Sequence, residues 1–325
     1  MKQYSVFAIL LTFICSSCIP DSHTGASIST PQIVYVTYTP QIVNVTATPE
    51  PNDISTPGDH IVHLDVNGTE RFFNLHIPSS YNPNNAYALV FDLHGFSGSA
   101  RSQMGLSFMW AEGDKKGFIV VNPQGLGDPP LWIDFYPGEV GEAQIAFFEA
   151  MIAHLAKNLN IDPSRIYVTG MSNGGVMSNY LGCEMADTFA AIAPVAGGHN
   201  SIETCQPQNP ISVIAVHGTD DRHIPYESSN PYSVTARYYS QAWAQRNGCD
   251  EVPIVEAITD KVTKESWPNC AENVAVVLYT VEGGRHEWPG SAYGPGPYPE
   301  GLQPEFYASE IIWEFFSQHT KPNVD

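Results

Sequence analysis

The sequence predicts a single α/β domain built on a mostly parallel, doubly wound sheet with an antiparallel N-terminal edge. From residue 60 onward, apolar runs of strand length alternate with segments whose apolar residues have helical spacing. Such alternation implies right-handed βαβ crossovers. Hydrophobic residues make up 43% of the 325 residues, which is enough for one large core.

The antiparallel edge comes first along the chain. Residues 60–64 and 71–77 are predicted strands, and Asn67-Gly68 between them is a strong hairpin-turn signal. Residues 88–93 form an apolar run typical of a strand that is buried on both faces. The other predicted strands are 118–121, 166–169, 190–195, 212–216 and 274–281, and the predicted helices are 104–116, 141–158, 174–185, 232–247 and 304–316.

The charge balance restricts the partners. The chain has 14 Lys+Arg against 34 Asp+Glu, a formal net charge of −20. Binding to a nucleic-acid backbone needs a basic surface, so this class of partner is excluded. The same negative field favours a neutral or cationic substrate.

The first 18 residues predict an export signal. Lys2 precedes an apolar run at 6–14 that is too short to span a bilayer. The run ends at Cys15-Ser16-Ser17-Cys18, which resembles a bacterial lipoprotein processing site with Cys18 as the lipidated residue; Cys15 stands where Leu, Val or Ile is usual. The alternative is an ordinary cleaved secretory signal. Both predict an exported protein, at the cell surface or outside the cell, with membrane contact only through a lipid anchor.

Residues 19–59 are predicted to be a Ser/Thr/Pro-rich linker, which leaves 60–320 as the α/β domain. The linker contains a short tandem repeat, in which residues 31–37 recur nine residues later as 40–46. Two copies are too few for a solenoid. A spacer is therefore the first interpretation, and an additional edge strand is the alternative.

Four cysteines follow the signal segment: Cys183, Cys205, Cys249 and Cys270. Their spacing contains no C-x-x-C element and suits zinc poorly. In an exported protein disulfides are expected, and four cysteines allow three pairings. The cysteines alone do not choose among these pairings.

Gly170-Met171-Ser172-Asn173-Gly174 is a G-x-S-x-G motif between a predicted strand and a predicted helix. In this context the motif predicts a nucleophile elbow, a turn so tight that side chains two positions from the serine would clash. Such a turn lifts the serine hydroxyl above the carboxyl edge of the sheet, where open α/β sheets bind ligands. Ser172 is therefore the candidate nucleophile, and a helix-capping serine is the alternative.

A serine nucleophile needs a base, and in this arrangement the chain order is serine, acid, histidine. His286 is the predicted base because it lies in a loop directly after a predicted strand, whereas His223 shares the loop of the candidate acids and His319 lies near the chain end. The acid follows the strand at 212–216. Either Asp220 or Asp221 is close enough in sequence to orient the imidazole.

Five separated motifs also occur in the order that is typical of one family. They are Leu93-His94-Gly95-Phe96-Ser97-Gly98, Gly170-Met171-Ser172-Asn173-Gly174-Gly175, Ala193-Pro194-Val195-Ala196-Gly197, His217-Gly218-Thr219-Asp220-Asp221 and Gly284-Arg285-His286-Glu287-Trp288-Pro289-Gly290. Together they resemble the secreted polyhydroxybutyrate depolymerase and feruloyl esterase family of α/β-hydrolases, over about residues 60–318. Arg285, where glycine is common, and Phe96, where cysteine is frequent, depart from the pattern.

The resemblance implies several roles. The last residue of the family's H-G-T-x-D element is the catalytic acid, which is Asp221 here. The cysteines resemble family disulfides that pair Cys183 with Cys205 and Cys249 with Cys270.

The oxyanion hole is predicted from the same geometry, with the backbone N–H groups of Phe96 and Asn173 as donors. His94 is expected to brace the loop that carries Phe96. Trp132 and Trp288 are candidate substrate contacts because an aromatic platform suits a feruloyl ring or a polyester chain; packing in the core is the alternative for both.

The sequence thus predicts an exported serine esterase that needs no cofactor and no metal. Its substrate is a neutral oligomeric or polymeric ester, either a feruloyl or acetyl ester of plant polysaccharide or an oligoester of the polyhydroxybutyrate type, with the soluble feruloyl type preferred. Two alternatives stay open: a serine peptidase on the same fold, and a surface-tethered binding protein without activity. The oligomeric state is not predicted.

Overall fold

The computed structural model describes residues 45–47, 54–132, 140–197, 205–227, 235–291 and 306–321. The predicted signal segment with Cys18 and most of the predicted linker lie outside these residues. The described strands are β1 Val45–Ala47, β2 Gly58–Val66, β3 Thr69–Ile77, β4 Tyr87–Leu93, β5 Ile119–Pro123, β6 Ile161–Met171, β7 Ala191–Val195, β8 Ser212–Gly218, β9 Ile254–Ala257, β10 Val262–Trp267 and β11 Val276–Val281. The described α-helices are α1 Ala100–Ser107, α2 Met109–Lys116, α3 Val140–Asn158, α4 Asn173–Glu184, α5 Ala236–Arg246 and α6 Ala308–Phe316.

The described strands form one sheet in the order β1-β2-β3-β5-β4-β6-β7-β8-β11-β10-β9. The six central strands, from β5 to β11, are parallel. The strands on both flanks are antiparallel. The predicted α/β domain is confirmed, and the sheet has a second antiparallel edge that the sequence analysis did not predict.

The sheet separates two hydrophobic clusters, as expected for a doubly wound fold. In β4, Leu89, Phe91 and Leu93 belong to one cluster. Ala88 and Val90, which alternate with them, belong to the other. Side chains of a strand point to opposite faces in turn, so the clusters lie on opposite faces. Helices α3, α4 and α5 pack on the first face, and α2 and α6 on the second.

The sheet order reverses at β4. The chain leaves β4 to form β5 on one side, then returns through α3 to form β6 on the other side. Loops after the carboxyl ends of β4 and β6 therefore open in opposite directions and leave a crevice between them, which is where open α/β sheets bind ligands.

Strand β1 lies in the segment that was predicted to be linker. Its residues pair antiparallel with β2, Val45 opposite Val66 and Ala47 opposite Leu64. The second copy of the tandem repeat therefore contributes an edge strand, so the spacer interpretation is wrong at these three residues and the alternative holds there.

The single helix predicted at 104–116 is two helices. Helix α1 begins after Ser99, whose hydroxyl accepts the N–H of Ser102 at 3.1 Å while the Ser102 hydroxyl accepts the N–H of Ser99 at 2.8 Å. Such a capping box fixes a helix start. At Phe108 the backbone turns left-handed, with φ of 53°, and this turn separates α1 from α2. The consequence is that Phe108 and Trp110 face the crevice.

Both disulfides implied by the resemblance are present in the structure. Cys183 at the end of α4 is bonded to Cys205, and Cys249 after α5 is bonded to Cys270 after β10. Each closes a loop of about 21 residues, for which chain entropy predicts about 3 kcal/mol of stabilisation. Disulfides of this kind fit an oxidising compartment outside the cytosol.

Candidate active site

Ser172 lies at a tight turn between β6 and α4. Its φ of 54° and ψ of −119° are unfavourable for a residue other than glycine. The turn leaves no room at its flanks, because a Cβ on Gly170 would lie 2.6 Å from the Gly174 carbonyl carbon, and one on Gly174 would lie 2.3 Å from the Leu93 oxygen. The predicted strand–serine–helix turn is therefore present, and it requires glycine on both sides.

Asp221 and His286 come together at the neighbouring carboxyl ends of β8 and β11. These strands are parallel partners, with Gly218 opposite Val281, so the loops that follow them meet at one edge. The His286 Nδ1 lies 2.8 Å from the Asp221 Oδ2. Asp220 is exposed, and its backbone N–H donates to the Gly284 oxygen at 2.8 Å. Geometry thus selects Asp221 over Asp220 as the partner of His286.

The Asp221 carboxylate is wholly buried and accepts hydrogen bonds on both oxygens. Oδ1 accepts the backbone N–H groups of His223 at 2.8 Å and Ile224 at 2.9 Å. Burial alone would raise the pKa of Asp221, but hydrogen bonds from His217, His286 and the Ile224 N–H outweigh burial and hold this pKa far below its ordinary value. Asp221 is therefore ionised at neutral pH.

An ionised Asp221 only accepts hydrogen bonds, so the proton between the two residues is on Nδ1 of His286, and in the neutral imidazole Nε2 is the acceptor. The Nε2 atom of His286 then has a lone pair that can take a proton from a hydroxyl. His286 and Ser172 line the same cavity, so the candidate base and the candidate nucleophile lie at one site.

The cavity has a volume of about 760 Å³ and lies between the Ser172 turn, the loop after β4 and helices α1 and α2. Most of its large side chains are apolar or aromatic; they are Phe96, Met104, Leu106, Phe108, Trp110 and Met171. Asp59, Arg101 and His286 are its ionisable members. A cavity of this size and composition suits a small aromatic or aliphatic acyl group.

The loop after β4 lies against Ser172. A Cβ built on Gly95 would lie 3.4 Å from the Ser172 Cβ. Hydrogen bonds from the Ser97 N–H to Pro130 O at 2.8 Å and from the Gly98 N–H to Gly95 O at 3.0 Å fix the shape of the loop. The Phe96 N–H belongs to this loop, and the Asn173 N–H begins α4. Both predicted oxyanion donors are therefore adjacent to Ser172 in the fold, and their role stays a prediction.

His94 braces this loop, as expected. Its Nε2 accepts the N–H of Gly125 at 2.9 Å, so the ring proton is on Nδ1, which donates to the Gly95 oxygen at 2.7 Å. Burial lowers the pKa of His94 despite the opposing effect of the bond to Gly95. The ring is thus a neutral structural connection beneath the loop.

The prediction that Trp132 contacts substrate is wrong. The side chain is fully buried, and its Nε1–H donates to the His94 oxygen at 2.8 Å. Its backbone N–H donates to the Asn173 Oδ1 at 2.8 Å. Trp132 therefore ties the loop after β4 to the start of α4, and it acts on the site through packing.

The same prediction for Trp288 is also wrong. Only 1% of this residue is exposed, and its Nε1–H donates to the Ser309 hydroxyl at 3.0 Å. The ring contacts a separate cleft between α2 and α6 and does not line the described wall of the Ser172 cavity. Two residues after His286, the chain has already turned into the core.

Asp92 near the end of β4 was missed by the sequence analysis. It is fully buried and accepts hydrogen bonds from Gln103 Nε2 at 2.7 Å, Ser107 Oγ at 2.5 Å and Asn122 Nδ2 at 2.9 Å. Burial raises the pKa of Asp92 to about 6, against the lowering effect of these three bonds. Since Gln103 and Ser107 belong to α1, Asp92 fixes the helix that forms one wall of the cavity.

No group of three or more His, Cys, Asp or Glu side chains in the part of the chain that the structure describes is arranged to hold a metal ion. Among the helices described there, none has both the length and the apolar character needed to cross a membrane.

The sheet order, the two helical layers and the strained serine between β6 and α4 are features of the α/β-hydrolase fold. A model of the prolyl oligopeptidase family matches residues 106–241, a segment that contains Ser172 and Asp221 but not His286. The acetyl xylan esterase from Aspergillus awamori has the same fold, with a TM-score of 0.56 and 16% identity over 84% of this chain and 99% of that one.

Relatives in sequence are esterases by name. The chain is 29% identical over 273 residues to feruloyl esterase B of Piromyces equi, which covers 75% of this chain and 44% of that protein. It is 28% identical over 269 residues to probable feruloyl esterase C of Aspergillus clavatus, which covers 79% of this chain and 85% of that protein. The predicted resemblance is confirmed, and the chain spans less than half the length of feruloyl esterase B.

Proposed function

We propose that this protein is an exported serine esterase that hydrolyses feruloyl or acetyl esters of plant polysaccharide. The observation that carries the proposal is the hydrogen bond of 2.8 Å between a buried, ionised Asp221 and His286, beside a strained Ser172 in one cavity. Three residue types that act together in acyl transfer thus meet at the ligand-binding edge of the sheet.

In the proposed mechanism Ser172 attacks the ester carbonyl while His286 Nε2 takes the hydroxyl proton. Asp221 holds the imidazole in the required tautomer and stabilises its charged form. The tetrahedral oxyanion is bound by the N–H groups of Phe96 and Asn173, and the loss of one such donor typically costs about 3 kcal/mol in the transition state. His286 then protonates the leaving alcohol. In the second half of the reaction His286 takes a proton from water, which attacks the acyl-enzyme, and returns it to Ser172 as the acid product leaves.

The cavity supports the aromatic acyl group. Phe96, Phe108 and Trp110 line it, and aromatic rings contribute large apolar contact areas to flat ligands. The names of the sequence relatives point to the same class of substrate. An oligoester of the polyhydroxybutyrate type is the second candidate because its short acyl units also fit a cavity of about 760 Å³.

The first experiment compares the purified protein on p-nitrophenyl acetate, methyl ferulate, an acetylated xylo-oligosaccharide and a short 3-hydroxybutyrate oligomer. We expect turnover of methyl ferulate with the highest kcat/KM. In the Ser172→Ala control, kcat should fall by about 10⁴-fold or more without loss of fold. A preference for the hydroxybutyrate oligomer would replace the proposed substrate class, and no turnover of any ester by folded protein would refute the esterase.

A peptidase is the one alternative that a specific observation favours, namely the match to the prolyl oligopeptidase family model. The same assay therefore includes a chromogenic Gly-Pro peptide amide. Because amides need more help for the leaving group than esters do, a kcat/KM for the peptide above that for methyl ferulate would make the protein a peptidase.

We also propose that the protein is exported and carries a lipid on Cys18. The two disulfides support export. Incorporation of labelled palmitate in the native host should be lost in the Cys18→Ser variant and kept in Cys15→Ser. A cleaved, unlabelled, soluble product would instead indicate an ordinary secretory signal.

A further inference from the structure

A second histidine contacts the proposed catalytic acid. His217 lies in β8 with 2% of the residue exposed. Its Nε2 lies 2.8 Å from the Ile224 carbonyl oxygen and 3.3 Å from the Asp221 Oδ2. A carbonyl oxygen only accepts, so Nε2 carries the ring proton, donates it to Ile224 and lies beside the Asp221 Oδ2.

His217 and His286 approach the same carboxylate oxygen. The Oδ2 of Asp221 is 2.8 Å from the His286 Nδ1, while its Oδ1 accepts two backbone N–H groups. A carboxylate has about four lone-pair positions, so these contacts saturate Asp221. Rotation of the carboxylate about its Cβ–Cγ bond would break several of them together.

We propose that His217 is a positioning residue that fixes the orientation of Asp221 and shares the negative charge of the oxygen facing His286. The proposal rests on the proposed function, because it concerns the same acid–base pair. It adds to that pair a residue that touches neither substrate nor nucleophile and that acts only through Asp221.

Because both histidines approach the same oxygen, the loss of His217 should move the pH–rate profile in a defined direction. A hydrogen bond from His217 withdraws charge from Oδ2, so its loss concentrates charge opposite His286 and stabilises the imidazolium. The acid limb of the pH–rate profile should then move to higher pH. A residue that only packs would lower activity without this movement.

Other ionisable groups surround the pair and must be separated from His217. The nearest is His223, whose ring centroid is 4.9 Å from that of His286. The remaining ones are Asp220 in the acid loop, Tyr226 against His217, Arg285 and Glu287 beside His286 in the chain, and Asp59 and Arg101 in the cavity wall. Comparing the variants in a protein that also carries His223→Gln removes the closest ionisable ring and keeps the backbone N–H that binds Asp221.

The test uses two variants of the full chain that differ by one methylene. His217→Gln places an amide N–H near the position of Nε2, whereas His217→Asn is too short to reach Asp221. The readout is the rate of phosphonylation of Ser172 by a fluorophosphonate across pH 5 to 9, which does not depend on the natural ester, together with kcat and KM on the best ester.

We expect His217→Asn to lower the phosphonylation rate at pH 7 by about 10- to 100-fold and to move the acid limb to higher pH, with KM unchanged. His217→Gln should stay within about threefold of wild type. The proposal is overturned if the acid limb of the pH–rate profile of His217→Asn coincides with that of wild type. It is also overturned if both variants lose the same phosphonylation rate and neither acid limb moves.

A measurement on the unaltered protein keeps the proposal testable where His217→Asn does not fold. In ¹⁵N-histidine NMR, Nε2 of His217 should carry a proton, because it lies 2.8 Å from the Ile224 carbonyl oxygen, and an unprotonated Nε2 overturns the assignment. If wild type reacts with no fluorophosphonate, the proposed function fails, and the tautomer of His217 still shows separately whether Nε2 carries the proton that the proposal requires beside Asp221.

Discussion

Two buried aspartates at the same edge of the sheet behave in opposite ways. Asp92, near the end of β4, and Asp221, after β8, are 0% and 4% exposed. Burial raises the pKa of Asp92 to about 6. Burial also acts to raise the pKa of Asp221, yet hydrogen bonds hold it far below its ordinary value. Depth of burial therefore does not decide whether these carboxylates are charged.

The difference lies in the donors. Among the described residues, the side chains that donate to Asp92 are the neutral ones of Gln103, Ser107 and Asn122. Asp221 receives two backbone N–H groups and faces two imidazoles, one of which becomes positive during the proposed reaction. The β4 side is thus suited to hold α1 in place, and the β8–β11 side is suited to stabilise a charge.

The largest expected effect lies on the β8–β11 side. In Asp221→Asn the amide places an N–H₂ group opposite His286 Nδ1 and favours the wrong imidazole tautomer, so kcat should fall by about 10⁴-fold. The measurement is ester hydrolysis at pH 7 with circular dichroism to check the fold. The exposed neighbour gives the matched control, since Asp220→Asn should keep kcat within about threefold. Similar losses in both variants would mean that the acid has been assigned to the wrong side chain.

The β4 side should show itself in stability. Because the pKa of Asp92 is raised in the folded protein, its protonated form stabilises the fold. This stabilisation is fully present below about pH 4 and is lost as pH rises through about 6. Over that interval the ionisation of Asp92 should lower the free energy of unfolding by about 3 kcal/mol. Denaturant unfolding of Asp92→Asn between pH 4 and 7 should lack this loss.

For Asp221 we expect the opposite dependence of the free energy of unfolding on pH. Its folded pKa is lowered, so its stabilisation is present above about pH 4 and is lost as pH falls further towards the folded value. Asp220→Asn again serves as the reference. Unfolding curves of Asp92→Asn and Asp220→Asn with the same pH dependence would show that Asp92 does not titrate as proposed.

The smallest effects distinguish the two buried tryptophans. Each Phe substitution removes one indole hydrogen bond, worth about 1 kcal/mol of stability. Trp132→Phe removes the hydrogen bond that holds the loop after β4, which carries Phe96, so kcat should fall by about tenfold with KM unchanged. Trp288→Phe lies away from the cavity and should leave both constants unchanged. A KM raised tenfold in either variant would restore that tryptophan as a substrate contact.

Local sequence signals predicted much of the fold. The Asn67-Gly68 hairpin is present, with positive φ at both residues, because this dipeptide tolerates that conformation. The hairpin of β9 and β10 was missed because all four residues of β9 are exposed and show no apolar alternation. The break at Phe108 was also missed, since a left-handed phenylalanine has no sequence signal and depends on tertiary contacts.

The site was predictable where chain order and turn geometry constrain it. Ser172 and His286 followed from motifs placed at strand ends, and Asp221 needed the family resemblance because spacing does not distinguish it from Asp220. The tryptophans were assigned wrongly because composition cannot tell a buried indole from an exposed one. Asp92 and His217 went unnoticed because a polar residue inside an apolar strand gives no sign of its partners.

The most direct test of the account is where a fluorophosphonate attaches. After reaction of the folded protein at pH 7.5, peptide mass spectrometry should find one phosphonyl group per chain on the peptide that contains Ser172. The adduct should be absent in Ser172→Ala and should form at least about 10³-fold more slowly in Asp221→Asn. Labelling of another residue, or labelling of Ser172 that is equally fast without Asp221, would contradict the proposal that the Asp221–His286 pair activates this serine.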